Sequence, residues 1–139
     1  MGMAAVAVAG VSMTAVIVGQ SAIVGRPLQL LLGERRVTTI VCNTGTSQAD
    51  LERLTSAADI VVGCAGQPGL IKGSSIKEGA IVIDAGTTDV NGKLTGDVEF
   101  EEAKKRASYI TPVPGGVGPL TTTMLMQNLI HACKWQKGL

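Results

Sequence analysis

Gly19, Ser21 and Gly25 are the first residues whose spacing suggests chemistry, in the stretch VIVGQSAIVGRP (residues 16–27). An apolar run ends in glycine, a second glycine follows, and a helix is expected to open at Pro27. This geometry suits a diphosphate. Glycine lets the backbone come close, and a helix start offers free N–H groups and the positive end of its dipole. The spacing is G-x5-G and not the G-x-G-x-x-G of the generic dinucleotide fingerprint. The same residues also suit an ordinary strand-to-helix turn.

Three further loops hold candidates. VCNTGTS (41–47) follows a second apolar run. In a dinucleotide fold this position faces a ribose, where a carboxylate favours a free 2′-hydroxyl and a cation favours a 2′-phosphate. Asn43, Thr44 and Thr46 are neutral and can serve either, or form a plain polar loop. GCAGQPGLIKG (63–73) turns sharply at Gly66, Pro68 and Gly69, and Gln67 offers an amide. IDAGTTDVNGKLTGDVEF (83–100) contains Asp84, Asp89 and Asp97. Acid–base work or metal binding is discounted there. Asp84 and Asp97 each neighbour a glycine turn, where Asp commonly caps local backbone, and no histidine is close in sequence.

Other chemistries lack their residues. His131 is the only histidine and falls with Thr123, Gln127, Asn128 and Lys134 on one side of a final helix, so it is expected to be exposed. Met124 and Met126 are read as core filling. Lys72 sits in a polar stretch and is read as solvated. Cys42, Cys64 and Cys133 are three in number, with no zinc spacing and no CxxC pair, which suits a reducing compartment. There is no nucleophile elbow and no Walker loop. Tyr109 has no lysine four residues on, so a short-chain reductase is disfavoured. The net charge is +1, with aromatics at 2%, which argues against nucleic-acid binding through a basic stripe.

The elements that must position these loops alternate. Strands are expected at 14–18, 37–42, 59–66, 79–86 and 108–111, and helices at 26–35, 49–58, 98–107 and about 120–135. A turn through Asn91-Gly92 is expected over 91–97. Continuous apolar strands alternating with helices imply an α/β fold with a mainly parallel sheet. The glycine turns after Val18, Cys42, Val62 and Asp84 then share one sheet edge, where such folds bind ligands. Hydrophobic residues make up 45% of the 139-residue chain, enough for one ordinary domain. The domain is expected over 14–139, with 1–13 as an apolar lead-in. That lead-in has no basic n-region for a signal peptide and is not read as a membrane span.

The segment TPVPGGVGPLTTTMLMQN (111–128) places three prolines and three glycines within Pro112–Pro119, ahead of an apolar helix. It resembles the PGGVGPxT signature of the methylenetetrahydrofolate dehydrogenase/cyclohydrolase family. VGQSAIVGRPLQLLL is similar to that family's GRSxxVGxPxxxLL segment. VVGCAGQPGLIKGSSIKEGAIVIDAG and GDVEFEEAKKRASYITPVPGGVGP also match, in order, across about residues 14–134.

The resemblance implies a single Rossmann-like domain, α/β, with a mainly parallel twisted sheet and helices on both faces. It implies a diphosphate loop at Gly19, Ser21, Val24 and Gly25, with Gln20 standing where the family has arginine. The adenosine end would be Asn43, Thr44 and Thr46. Ala65, Gly66 and Gln67 would lie against the ribose and diphosphate. Gly86 and Thr87 would approach the nicotinamide, and Gly118 and Thr121 would close the pocket toward the folate. Gln20, Asn43-Thr44 and Thr87 depart from the family pattern and weaken the expectation of NADP, which is retained with NAD as the competitor.

The resemblance reaches only the cofactor-binding half. It places the catalytic lysine and the folate site elsewhere, so no catalytic or metal residue is assigned and the isolated chain is expected to be inactive. It further implies a homodimer and a cytoplasmic or organelle-matrix location, with neither a nucleic-acid nor a membrane partner. Without the folate half, Val113, Val117, Leu120 and the apolar side of the last helix are expected to be exposed and to promote self-association. The rival expectation is a non-catalytic interaction or dimerisation module with weak or no nucleotide binding.

Overall fold

The computed structural model describes residues 12–138. The lead-in expected over 1–13 therefore lies almost wholly outside the described residues. Five strands form one parallel sheet in the order β2-β1-β3-β4-β7. They are β1 (Thr14–Val18), β2 (Thr38–Cys42), β3 (Ile60–Gly63), β4 (Ile81–Asp84) and β7 (Tyr109–Ile110). Between β4 and β7 a hairpin pairs β5 (Thr88–Val90) with β6 (Lys93–Thr95), antiparallel, through Asn91-Gly92. Asn91 and Gly92 both take positive φ, as this tight turn requires.

The apolar runs become central strands because both of their faces are covered. Ala15, Ile17, Ile60 and Val62 point to one face, against Leu28 and Leu32 of α1 (Gly25–Glu34). Val16, Val18, Val61 and Val82 point to the other. There they meet Leu51 of α2 (Gln48–Thr55), Ala103 of α3 (Phe100–Arg106), and Ile71 and Ile76 around a 3-10 turn. Helix α2 starts where Ser47 accepts the Asp50 N–H at 3.1 Å, a side-chain N-cap.

The last helix, α4 (Val117–Gln136), differs from every other helix. It has 20 residues and none of them is buried. It starts three residues earlier than the sequence suggests, directly out of the Pro/Gly turn. Met124 and Met126 are 46% and 57% exposed, so the core-filling role read from the sequence is incorrect. The helix is apolar on several sides and no described element packs over it. No described helix is long and apolar enough to cross a membrane.

Candidate functional site

The parallel strands all point their carboxyl ends at one edge, and β1 lies between β2 and β3, so the chain leaves β1 toward one side and β3 toward the other. At that switch point opens a cleft of about 500 Å³. Gly19, Gln20 and Ser21 line it from β1, Asn43, Thr44 and Thr46 from β2, and Cys64 and Ala65 from β3. None of its lining residues is charged.

Its floor depends on missing side chains. Gly19 has φ +123, and a Cβ there would collide with the Cys64 carbonyl and stand 2.8 Å from the Ala65 nitrogen. A Cβ at Gly25 would overlap the Gly19 carbonyl oxygen. The two glycines therefore bring the start of α1 down onto the β1 turn. The Ser21 hydroxyl accepts the Val24 N–H at 3.1 Å and closes the intervening loop. The first turn of α1 carries no acidic residue, and its N-cap makes no side-chain hydrogen bond. Val24 and Gly25 thus shape the turn without lining the cleft.

At the β2 end, Asn43 is held by a local network. Its amide N–H donates to Thr46 Oγ1 at 3.1 Å, and its Oδ1 accepts the Gly45 N–H at 2.9 Å. Asn43 Nδ2 donates to Gln20 Oε1 at 3.3 Å, which joins the first two loops across the cleft mouth. Burial and the neighbouring Asp97 push the Cys64 thiol up to about 11. Both effects favour the neutral thiol over the thiolate at neutral pH.

A second cleft of about 350 Å³ lies beyond β4. Thr87, Leu94, Gly118, Thr121 and the whole Pro/Gly turn line it, with Asp84 at its base. The Val113–Pro114 peptide in this turn is cis. The Pro/Gly segment is thus the wall of a pocket as well as the launch of α4.

The loop after β3 separates the two clefts, and here the sequence expectations divide. The N–H groups of Ala65, Gly66 and Gln67 all turn inward and donate to the Asp97 carboxylate, and of the three only Ala65 also lines the first cleft. Gly86 is buried, and a Cβ there would overlap that carboxylate. Asp84 Oδ1 accepts the N–H groups of Gly86 and Asp97 at 3.0 and 3.1 Å, and Oδ2 accepts that of Val98 at 2.9 Å. Burial pushes the Asp84 carboxyl up and Asp97 adds to this, while the three N–H donors oppose it. Both aspartates cap backbone, as read from the sequence. Lys72 is not merely solvated, since its Nζ pairs with Glu99 at 2.8 Å and donates to the Gly69 carbonyl. His131 is exposed on α4, and no metal-binding cluster exists among the described residues.

Sequence reasoning missed Val18, Cys42, Gln48, Leu51, Cys64 and Leu70, which also line the first cleft. Leu51 and Leu70 have only an apolar signal, which looks the same for a core residue and a cleft wall.

A parallel sheet with a glycine-floored cleft at its switch point defines a dinucleotide-fold domain. Residues 3–137 match the family model described as tetrahydrofolate dehydrogenase/cyclohydrolase, NAD(P)-binding domain, and the chain belongs to that family. It is 55% identical over 121 residues to the bifunctional protein FolD of Halothermothrix orenii, covering 87% of this chain and 42% of that protein. To FolD of Aquifex aeolicus it is 51% identical, covering 85% of this chain and 40% of that one.

Among solved structures, FolD of Campylobacter jejuni superposes with a TM-score of 0.85 at 44% identity, covering 90% of this chain and 44% of that one. The Trypanosoma brucei methylenetetrahydrofolate dehydrogenase-cyclohydrolase, solved with NADP cofactor and an inhibitor, gives 0.81 at 47%, covering 85% and 42%. The chain thus spans less than half the length of these relatives.

Proposed function

We propose that this chain holds the dinucleotide in a bifunctional 5,10-methylene-tetrahydrofolate dehydrogenase and 5,10-methenyl-tetrahydrofolate cyclohydrolase, with NADP as cofactor and NAD as its competitor. The observation that carries this reading is the cleft at the carboxyl ends of β1, β2 and β3, lined by Gly19 and shaped from behind by the close packing of Gly25 on it, in a chain of this family. A diphosphate would sit at the turn of Gly19, Ser21, Val24 and Gly25, because the two glycines let the start of α1 pack onto the β1 turn and bring its free N–H groups to the cleft. Gln20, Asn43, Thr44 and Thr46 would hold the adenosine end through neutral hydrogen bonds. Ala65, Gly66 and Gln67 would shape the middle. Thr87, Gly118 and Thr121 would border the nicotinamide at the second cleft, with Gly86 buried behind Thr87 against Asp97 rather than lining it.

The nicotinamide supplies the hydride chemistry when bound, and these residues bind and orient it. None of them is assigned a catalytic role. Oxidation of the folate and hydrolysis of the methenyl product would need residues from the length of the relatives that this chain does not span. A second copy of the chain is the expected partner. Ile23, Leu30 and Leu31 support this, being 87%, 70% and 57% exposed beside the first cleft's helix. The expected location is the cytoplasm or an organelle matrix.

Calorimetric titration of the folded chain with NADP and NAD tests the reading. Saturable heat with either supports it, and no heat with both removes it. One observation favours a second reading, an interaction module without nucleotide binding, because α4 presents apolar residues with no cover. A stable dimer by light scattering, with a melting temperature indifferent to either nucleotide, would select that module.

A further inference from the structure

Asp97 is fully buried, with a relative exposure of 0%. Its carboxylate makes no ion pair with a described residue. Three successive backbone donors satisfy it instead. The Ala65 and Gly66 N–H groups donate to Oδ2 at 2.6 and 3.0 Å, and the Gln67 N–H donates to Oδ1 at 2.8 Å. A buried carboxylate is costly unless such donors surround it, and with them it is strongly held.

The space is built for it. A Cβ on Gly86 would overlap the carboxylate, and one on Gly63 would stand 3.2 Å from the Asp97 Cβ. The backbone of Asp97 is fixed in turn, since its own N–H donates to Asp84 at 3.1 Å. The loop it grips has a second tie on its outer side, where Thr88 Oγ1 donates to the Gly66 carbonyl at 3.1 Å.

A loop held this firmly, with Gly66 at φ +68, is a fixed partition. Its first residues line the first cleft, and the strand Asp97 leans on ends in the second. A ligand lying across both clefts must pass it. A ligand confined to the ends of β1 and β2 need not. On the dinucleotide reading given above, we propose that Asp97 is a positioning residue for the cofactor: its buried carboxylate sets the Ala65–Gln67 backbone over which the dinucleotide passes from the adenosine cleft to the nicotinamide cleft. It touches no reacting atom and acts through the loop.

The test compares a ligand that spans both clefts with one that does not. Asp97→Asn keeps the volume but replaces one acceptor oxygen with a donor that faces N–H groups. Its affinity for NADPH, read by nicotinamide fluorescence, should fall ~10-fold or more, as expected when a ligand's supporting contacts are lost. Its affinity for 2′,5′-ADP, which occupies only the adenosine end, should stay within about 3-fold. The amide proton resonances of residues 65–67 should move upfield as the charged acceptor goes.

Val61→Ala is the structural control. It lowers the melting temperature from the sheet core and should leave both affinities within about 3-fold. If Asp97→Asn does not fold, Thr88→Val releases the loop's other tie from a partly exposed position and should lower NADPH affinity by ~5- to 10-fold while 2′,5′-ADP stays within about 3-fold. Equal loss of both ligands, or no loss of either, overturns the positioning role while leaving the site reading intact. Failure of the unaltered chain to bind NADPH, 2′,5′-ADP and NAD alike overturns the site reading itself.

Discussion

The sheet around β1 and the helix α4 both carry large aliphatic residues, and these end in opposite states. Val16, Ile17 and Val61 are at 0% exposure, whereas Leu125, Leu129 and Ile130 are above half exposed. The sheet strands gain their burial from helices that the same chain supplies on both faces. Helix α4 leaves the Pro/Gly turn and meets no described element. Apolar sequence therefore means two different things here. In the sheet it is internal core, and in α4 it is surface left without cover among the described residues.

The sheet side should break most sharply at Gly25. Its Cβ would enter the Gly19 carbonyl, and both partners are backbone, so neither can swing aside. Gly25→Ala should cost at least ~3 kcal/mol and abolish dinucleotide binding, checked by denaturant unfolding and calorimetry. Gly118→Ala, at the start of α4, meets nothing within 4 Å and should leave stability nearly unchanged. Comparable losses in the two variants would erase the distinction between the regions.

A smaller pair of effects sharpens it. Val61 is fully buried in β3, and Val61→Ala should cost about 2 kcal/mol, lowering the melting temperature by about 4–8 °C. Leu129→Ala removes a larger side chain from α4, yet in the isolated chain it should fall within about 0.5 kcal/mol of the original. In a longer protein that covers α4, the same change should cost as a core truncation does. Self-association by light scattering should decrease in Leu125→Glu and Leu129→Glu, because each breaks the exposed apolar surface.

Much of this was legible in the sequence, for physical reasons that also mark where reading stops. TAVIV and IVVG read as central strands because continuous β-branched runs suit burial on both faces. Gly19 and Gly25 read as a cradle because close backbone approach needs glycine. Met124 and Met126 misread because an apolar helix pattern states that burial is wanted, not that the chain provides it. The division into two clefts was not visible, since it depends on how far the loop after β3 projects. The grip of Asp97 on Ala65–Gln67 crosses 30 to 32 positions of sequence, and only its place beside Gly96 hinted at a cap. The pairing of Lys72 with Glu99 crosses 27 and left no local signal.

The smallest effect concerns acid, and it too separates the regions. Helix α4 contains no Asp or Glu, so acid sensitivity of the described fold resides in the sheet side. At the amino edge of the sheet, the Lys77 ammonium at 2.6 Å and the Thr14 N–H hold the Asp59 carboxyl below its ordinary value of 3.8. Folding therefore favours its charged form. The stability it contributes is present above pH 3.8 and is lost as pH falls through the lowered folded value.

Asp84, at the opposite edge, is shifted upward by burial, so its sign is reversed. Between 3.8 and its raised value the folded state holds the proton more tightly, and stability from this group declines as pH rises through that window. Asp59→Asn should remove the first contribution only. At pH 7 the loss should be about 1 kcal/mol or less, because the pair is partly exposed. The difference from the original chain should shrink as pH falls below 3.8, measured by melting temperature across the acid range. Removing α4 should leave the shape of that acid profile unchanged. A profile that flattens on its removal would show that the helix is coupled to the sheet after all.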